Sequence, residues 1–222
     1  MLCDEGLFED QVAELPGAAV VRWGGGESIA DFAGDVLDQA PPGPFAMAGL
    51  SMGGYVAIEV MRQAPERVAK LALLDTRADA DDEAVARRRQ SAIEHASRPG
   101  FGKAAARLMR MLVHPDHLRE RQVMDRITGM VERNGVEAFV RQQRAMASRP
   151  DSRGLLARIA CPTLVLCGRQ DRPSPVAVHE EMAATIPDSH LVVIEHCGHL
   201  SPIEKPEEVT AALRSWRNEP QD

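Results

Sequence analysis

The sequence predicts an α/β fold: a mostly parallel sheet flanked by helices, with a helical cap inserted into it. Three observations carry this expectation. Apolar runs with little alternation, Phe45 to Leu50, Val68 to Leu74 and Thr163 to Cys167, read as strands covered on both faces, and Leu191 to Ile194 reads as a further strand. Helical segments separate the runs on either side of a long central block, as in a parallel sheet clad in helices. In that block, from Asp79 to about Arg149, the spacing is helical throughout and the stretch is too long for one crossover. The expected division is a core made of 1–78 and 153–222 and a cap made of 79–152.

The elements follow in order. Leu7, Phe8, Val12 and Leu15 lie near helical spacing within residues 4–15, and Pro16-Gly17 stops that helix. Ala18 to Trp23 is a short apolar run that ends in Gly24-Gly25-Gly26 and reads as a strand. Glu27 to Gln39 is a helix with Ile29, Phe32, Ala33, Val36 and Leu37 on one face, ended by Pro41-Pro42-Gly43-Pro44. A helix from Ser51 to about Ala64 follows the first buried strand, and Asp75 closes the second. Within the cap, Leu108 and Leu112 share a face with Ala105 and Met109, and Val123, Ile127, Met130 and Val131 form another. Pro99-Gly100, His114-Pro115 and Asn134-Gly135 mark its breaks. A helix from Val176 to Thr185 precedes the last strand. Pro206 to Arg217 is the closing helix, with Val209, Leu213 and Trp216 inward and Pro206 in its first turn.

Composition narrows the function. The chain has 222 residues, 44% hydrophobic and 27% charged, which suits one folded domain with an inserted subdomain. Its net charge is −7, and Arg87, Arg88 and Arg89 are interleaved with acids, so nucleic acid is not an expected partner. No apolar run approaches the roughly 20 residues that span a bilayer, and Met1-Leu2-Cys3-Asp4-Glu5 has no signal-like character. A cytoplasmic protein with a small-molecule substrate is expected, and no oligomeric state is assigned. Cys3, Cys161, Cys167 and Cys197 form no CxxC pair and read as small buried hydrophobes. Cys197, two residues before His199, is the one whose oxidation would bear on activity. His95, His114, His117, His179 and His190 have no metal-like spacing with carboxylates, and HExxH and phosphate loops are absent from the sequence. No metal and no cofactor is expected.

The chemistry centres on Gly49-Leu50-Ser51-Met52-Gly53-Gly54, a GxSxG pattern between an apolar strand and an amphipathic helix. A serine on a sharp strand-to-helix turn needs small residues two before and two after it. The helix that starts there aims N–H groups at a developing oxyanion, with the Met52 N–H as the expected donor. Asp171 follows a strand in Cys167-Gly168-Arg169-Gln170-Asp171, where an acid faces the crevice of an open sheet. Asp75, also after a strand, is the rival acid. His199 follows the last strand and completes Ser…Asp…His in chain order; His196 is its competitor.

These segments resemble the α/β-hydrolase superfamily, and more closely its small bacterial enol-lactonases and esterases. Leu71-Ala72-Leu73-Leu74-Asp75, Pro162 to Asp171 and Gly198-His199 fall in family order around the serine turn. The resemblance implies Ser51 as nucleophile, His199 as base, Asp171 as the acid that orients it, and acyl transfer from an ester, thioester or lactone. It implies a second oxyanion donor from the N-terminal backbone, Leu2 with Cys3 beside it. A non-hydrolytic relative, lyase or cofactor-free perhydrolase, uses the same residues and stays open, as does a truncated inactive or ligand-binding form. Two departures stand out. The family's strand before its first helix has no counterpart here, so the natural protein is expected to start upstream. The family's Asp-x-Arg-Gly-type turn is replaced by Arg22-Trp23-Gly24-Gly25-Gly26-Glu27-Ser28. In the cap, Met109, Met111, Met124, Met130 and Met146 either line an apolar pocket or fill gaps between helices. Arg141 and Arg144 either meet a substrate carboxylate or form a solvated face.

Overall fold

The computed structural model describes residues 1–219. In chain order it contains α1 (Glu9–Glu14), α2 (Ile29–Gln39), β1 (Phe45–Leu50), α3 (Met52–Gln63) and β2 (Val68–Leu74). Next come α4 (Glu83–Ala96), α5 (Phe101–Arg110), α6 (Arg121–Ala147) and α7 (Arg153–Leu156), then β3 (Thr163–Gly168), α8 (Val176–Thr185), β4 (Ser189–Ile194), α9 (Ser201–Glu204) and α10 (Pro206–Asn218). The sheet has four parallel strands in the order β1-β2-β3-β4. Leu50 pairs with Leu74, Leu74 with Leu166, and Gly168 with Ile194. This register brings the carboxyl ends of all four strands to one edge. The segments carrying Ser51, Asp75, Asp171 and His199 leave the sheet there.

The central strands are mostly apolar because both faces are covered, with Lys70 and Thr163 as the polar exceptions. Successive side chains alternate sides. Leu71, Leu73 and Val165 enter a core with Phe32, Val56 and Ile58 from α2 and α3. Ala72, Leu74, Leu164 and Leu166 enter a second core with Leu213 and Trp216 of α10. That second core runs on into Met109, Ile127, Met130 and Phe139 of the inserted helices. The segment between β2 and β3 is helical, and α6 is broken at Gly135, where φ is 71°, the position expected from Asn134-Gly135. At the base of this segment the Arg149 guanidinium meets Asp81 at 2.6 Å and lies 4.2 Å from the Tyr55 ring centre. Both charged side chains are almost wholly buried.

Two local devices fix helix ends. Ser28 and Asp31 form a reciprocal capping box at the start of α2. The buried Lys70 Nζ donates to the carbonyls of Trp216 at 2.9 Å, Arg217 at 3.0 Å and Glu219 at 2.5 Å, so β2 supplies the donors that the end of α10 lacks.

One expected strand does not form. Residues 18–23 join no ladder. A strand exists only where a neighbour takes up its backbone groups, and β1 pairs with β2 alone. The segment is held instead by side chains: Val21 and Trp23 pack on the α2–α3 core, with Trp23 stacked 5.5 Å from Phe32. β1 is consequently an edge strand, with Ala46 and Ala48 exposed.

Candidate active site

β1 ends at Leu50, and the chain turns at Ser51 with φ 54° and ψ −113°, a left-handed conformation that L residues rarely adopt. The turn is held from both sides. Ser51 N–H donates to the Leu74 carbonyl at 2.9 Å, and the Thr76 hydroxyl donates to the Ser51 carbonyl at 2.7 Å. A Cβ on Gly49 would lie 2.2 Å from the Gly53 carbonyl oxygen, and one on Gly54 would lie 2.4 Å from Thr76 Oγ1. Gly49 and Gly54 are therefore steric requirements of the turn, whereas a Cβ on Gly53, two residues after Ser51, would meet only the Trp23 ring at 3.9 Å.

His199 Nε2 lies 2.8 Å from Ser51 Oγ. Its Nδ1 lies 2.9 Å from each carboxylate oxygen of Asp171. A carboxylate only accepts, so the ring proton belongs on Nδ1, and Nε2 is left to accept from the Ser51 hydroxyl. The His199 and Asp171 side chains are nearly or wholly buried. Asp171 Oδ1 also accepts from Ser174 N–H at 3.0 Å. The structure thus brings together the three side chains that the sequence picked out.

The rivals have other places. His196 is exposed and faces Asp116, not Ser51. Asp75 is wholly buried; it accepts from Gly168 N–H at 2.9 Å and from the Ser201 hydroxyl. Burial, with the nearby Asp171 charge adding to it, pushes its carboxyl well above the usual carboxylate range. Cys197 is buried as well, and burial followed by the Glu204 charge pushes its thiol up, so it offers no thiolate to an oxidant. The backbone donors differ from each other. Met52 opens α3, and N–H groups in a first turn have no partner within the helix. Leu2 is buried at φ 54°, and its N–H donates to Gln142 Oε1 at 2.8 Å. An oxyanion would have to displace that amide.

Between β2 and β3, Met109, Met130 and Met146 are buried in the packing, whereas Met111 is exposed in a cleft beside Asp171 that His114, Arg172 and Pro175 also line. Arg144 reaches Glu27 at 3.2 Å on the surface.

Sequence reasoning passed over Glu204. This buried carboxylate of α9 accepts from three backbone N–H groups: His114 at 2.7 Å, Gly198 at 3.0 Å and Leu200 at 3.0 Å. Beside it, His199 N–H donates to the Leu112 carbonyl at 2.8 Å. A Cβ on Gly198 would lie 2.4 Å from that same carbonyl. The inserted helices are thus keyed directly onto the loop that carries His199. Glu204 lies near His199 in the chain, but an acid in a short helix gives no sign of burial, and its partner at residue 114 is far away in sequence.

The profile of the alpha/beta hydrolase fold family matches residues 25–206. A pimeloyl-[acyl-carrier protein] methyl ester esterase of Nitrosomonas europaea is 26% identical over 224 residues, spanning 93% of this chain and 84% of that protein. A 2-hydroxy-6-oxononadienedioate/2-hydroxy-6-oxononatrienedioate hydrolase of Burkholderia vietnamiensis is 28% identical over 74% of this chain, which spans 59% of that protein. Among solved structures, a thermophilic esterase from Thermogutta terrifontis superposes with a TM-score of 0.87 at 34% identity, covering 97% of this chain and 85% of that one. The enol-lactonase from Burkholderia xenovorans LB400 shares the fold, with a TM-score of 0.86 at 24% identity over 98% of this chain and 88% of its own.

Proposed function

Because the chain belongs to the alpha/beta hydrolase fold family, we propose that it is a serine hydrolase that cleaves an ester, thioester or lactone of a small molecule. The observation that carries this reading is the hydrogen-bonded chain from Ser51 Oγ through His199 to Asp171, with distances of 2.8 and 2.9 Å. His199 takes the Ser51 proton as the hydroxyl attacks the carbonyl, and Asp171 holds the ring and stabilises its cation. The Met52 N–H receives the oxyanion at the start of α3; the Leu2 N–H joins it where Gln142 gives way. His199 then protonates the leaving group and activates water against the acyl-enzyme. Residues 79–152 act as the cap that shapes access, with Met111 at the cleft beside Asp171. Relatives named as a methyl ester esterase and an esterase favour carboxylic esters within this class.

The test is labelling with a fluorophosphonate probe, followed by a panel of short-chain esters, thioesters and lactones. Ser51 labels, and Ser51→Ala removes labelling and collapses turnover while the melting curve is retained. Only the residual rate owed to the oxyanion donors and binding survives, which in well-studied triads is about 10³–10⁴ over water. An unlabelled but folded wild-type protein overturns the proposal.

A further inference from the structure

A cluster of side chains beside this site plays no part in the proposed reaction. His114 and Asp116 lie on the inserted segment between α5 and α6, and His196 lies on the loop between β4 and His199. Asp116 Oδ2 is 3.5 Å from His114 Nδ1 and 3.5 Å from His196 Nδ1. One ligand atom from each of the three residues falls within 4.8 Å of the other two. The two imidazoles lean edge to face with ring centres 5.8 Å apart.

We propose that His114, Asp116 and His196 form a binding site for a divalent transition-metal ion of the zinc class, which ties the inserted helices to the loop carrying His199. Tetrahedral zinc, with bonds of about 2.0–2.1 Å, sets its ligand atoms about 3.4 Å apart. Both carboxylate–imidazole separations are already close to that spacing. The remaining gap between the imidazoles closes by rotation of His196, whose side chain is exposed. His114 is the fixed member. Its side chain is 11% exposed, and its backbone N–H is held by Glu204. Its Nδ1 accepts from Asp116 N–H at 3.2 Å, so that nitrogen carries the lone pair a metal needs. The ion takes the place of this long contact.

Donor chemistry selects the metal. Two imidazoles and one carboxylate suit zinc, cobalt or nickel, whereas magnesium and calcium favour oxygen donors. Three protein ligands leave a fourth position to water. The loop around the site is already braced: the His117 ring contacts Glu120 at 2.6 Å through Nδ1 and the His196 carbonyl at 2.9 Å through Nε2. His114 also lines the cleft beside Asp171, so an ion there stands at the mouth of the proposed active site. Sequence spacing could not show the site, because His114 and His196 come from opposite ends of the inserted-helix-to-sheet contact.

The test uses the full chain, stripped with EDTA, with zinc titrated by calorimetry and cobalt followed by its visible absorption. Wild type is expected to bind one equivalent and to melt higher with metal than without. Asp116→Asn and His196→Gln each weaken binding by at least about tenfold, keep the metal-free melting temperature, and lose the metal-induced rise. His117→Gln retains binding. Three results overturn the proposal: no heat and no cobalt spectrum with wild type; equal affinity in wild type and both ligand variants, which would place the ion on His199 and Asp171; or loss of binding in His117→Gln alone, which would place it on His117 and Glu120. Each readout is independent of fluorophosphonate labelling, so failure here and failure of the serine hydrolase reading are distinguishable.

Discussion

Replacing Glu204 by alanine tests whether the inserted helices hold the His199 loop in place. The carboxylate satisfies the N–H groups of His114, Gly198 and Leu200, and the last two lie in buried surroundings. A buried donor left without an acceptor costs about 1–3 kcal/mol. With the His114 N–H able to turn partly to water, the total for Glu204→Ala is about 3–6 kcal/mol. For a chain of this length each kcal/mol moves the melting temperature by about 2–4 °C, so a fall of about 6–24 °C is expected. Glu204→Gln keeps one acceptor oxygen and turns an NH₂ group toward the remaining N–H, so it falls in between. The assay pairs thermal unfolding with ester turnover measured well below each variant's melting temperature. If the carboxylate positions His199, kcat drops while the protein is still folded, and Gln restores part of it. A Glu204→Ala protein that melts within about 2 °C of wild type and turns over ester at the wild-type rate refutes this reasoning.

Two other buried acids give opposite pH signatures. Asp75 is raised above the usual value of about 3.9 by burial and then by Asp171; wild type therefore loses stability as pH climbs from about 4 through the folded value. Asp75→Asn lacks that loss, so its melting temperature gains on wild type with rising pH; parallel pH–stability curves count against the assignment. At Asp81, burial opposes the charge, but hydrogen bonds from Arg89 and Arg149 outweigh it and hold the carboxyl below its usual value. Its contribution is full above about pH 4 and is lost as pH falls through the lower folded value. Asp81→Asn should cost about 3 kcal/mol at neutral pH, the low end for breaking a buried pair, because Arg149 keeps its bonds to the Met146 and Asp79 carbonyls. Urea titrations at neutral and acid pH should show that deficit shrinking in acid.

Much of the architecture was readable because it depends on local pattern. The runs at Val68 and Thr163 are largely apolar and form the covered central strands, whereas the similar run at Phe45 forms an edge strand with Ala46 and Ala48 exposed. The turn at Ser51 was readable from Gly49, where a Cβ would strike the Gly53 carbonyl; Gly53 itself has room, and Gly54, against Thr76, is the glycine the turn needs after the serine. Residues 18–23 show the limit of this reasoning. Their composition is strand-like, but a ladder is a property of two segments, and β1 pairs only with β2. Leu2 shows the same limit at the level of one bond. Its N–H was assigned to an oxyanion by position, and the structure gives it to Gln142, 140 residues away.

Asp75 and Asp171 make the point most directly, since the sequence offers both as an acid at the end of a buried strand. The register places them at the ends of β2 and β3, close enough for one charge to raise the other's pKa. Two buried carboxylates side by side cannot both be ionised cheaply. Asp171 faces His199 Nδ1, whereas Asp75 faces only Gly168 N–H and the Ser201 hydroxyl. What each oxygen faces therefore separates the two acids under the proposed serine hydrolase reading. Asp75, held by Gly168 N–H and the Ser201 hydroxyl, ties the end of β2 to β3 and α9. Asp171→Ala is therefore expected to abolish ester turnover rather than hand the role to Asp75, whose two oxygens are already engaged by Gly168 N–H and the Ser201 hydroxyl; near-wild-type turnover in that variant counts against the reading.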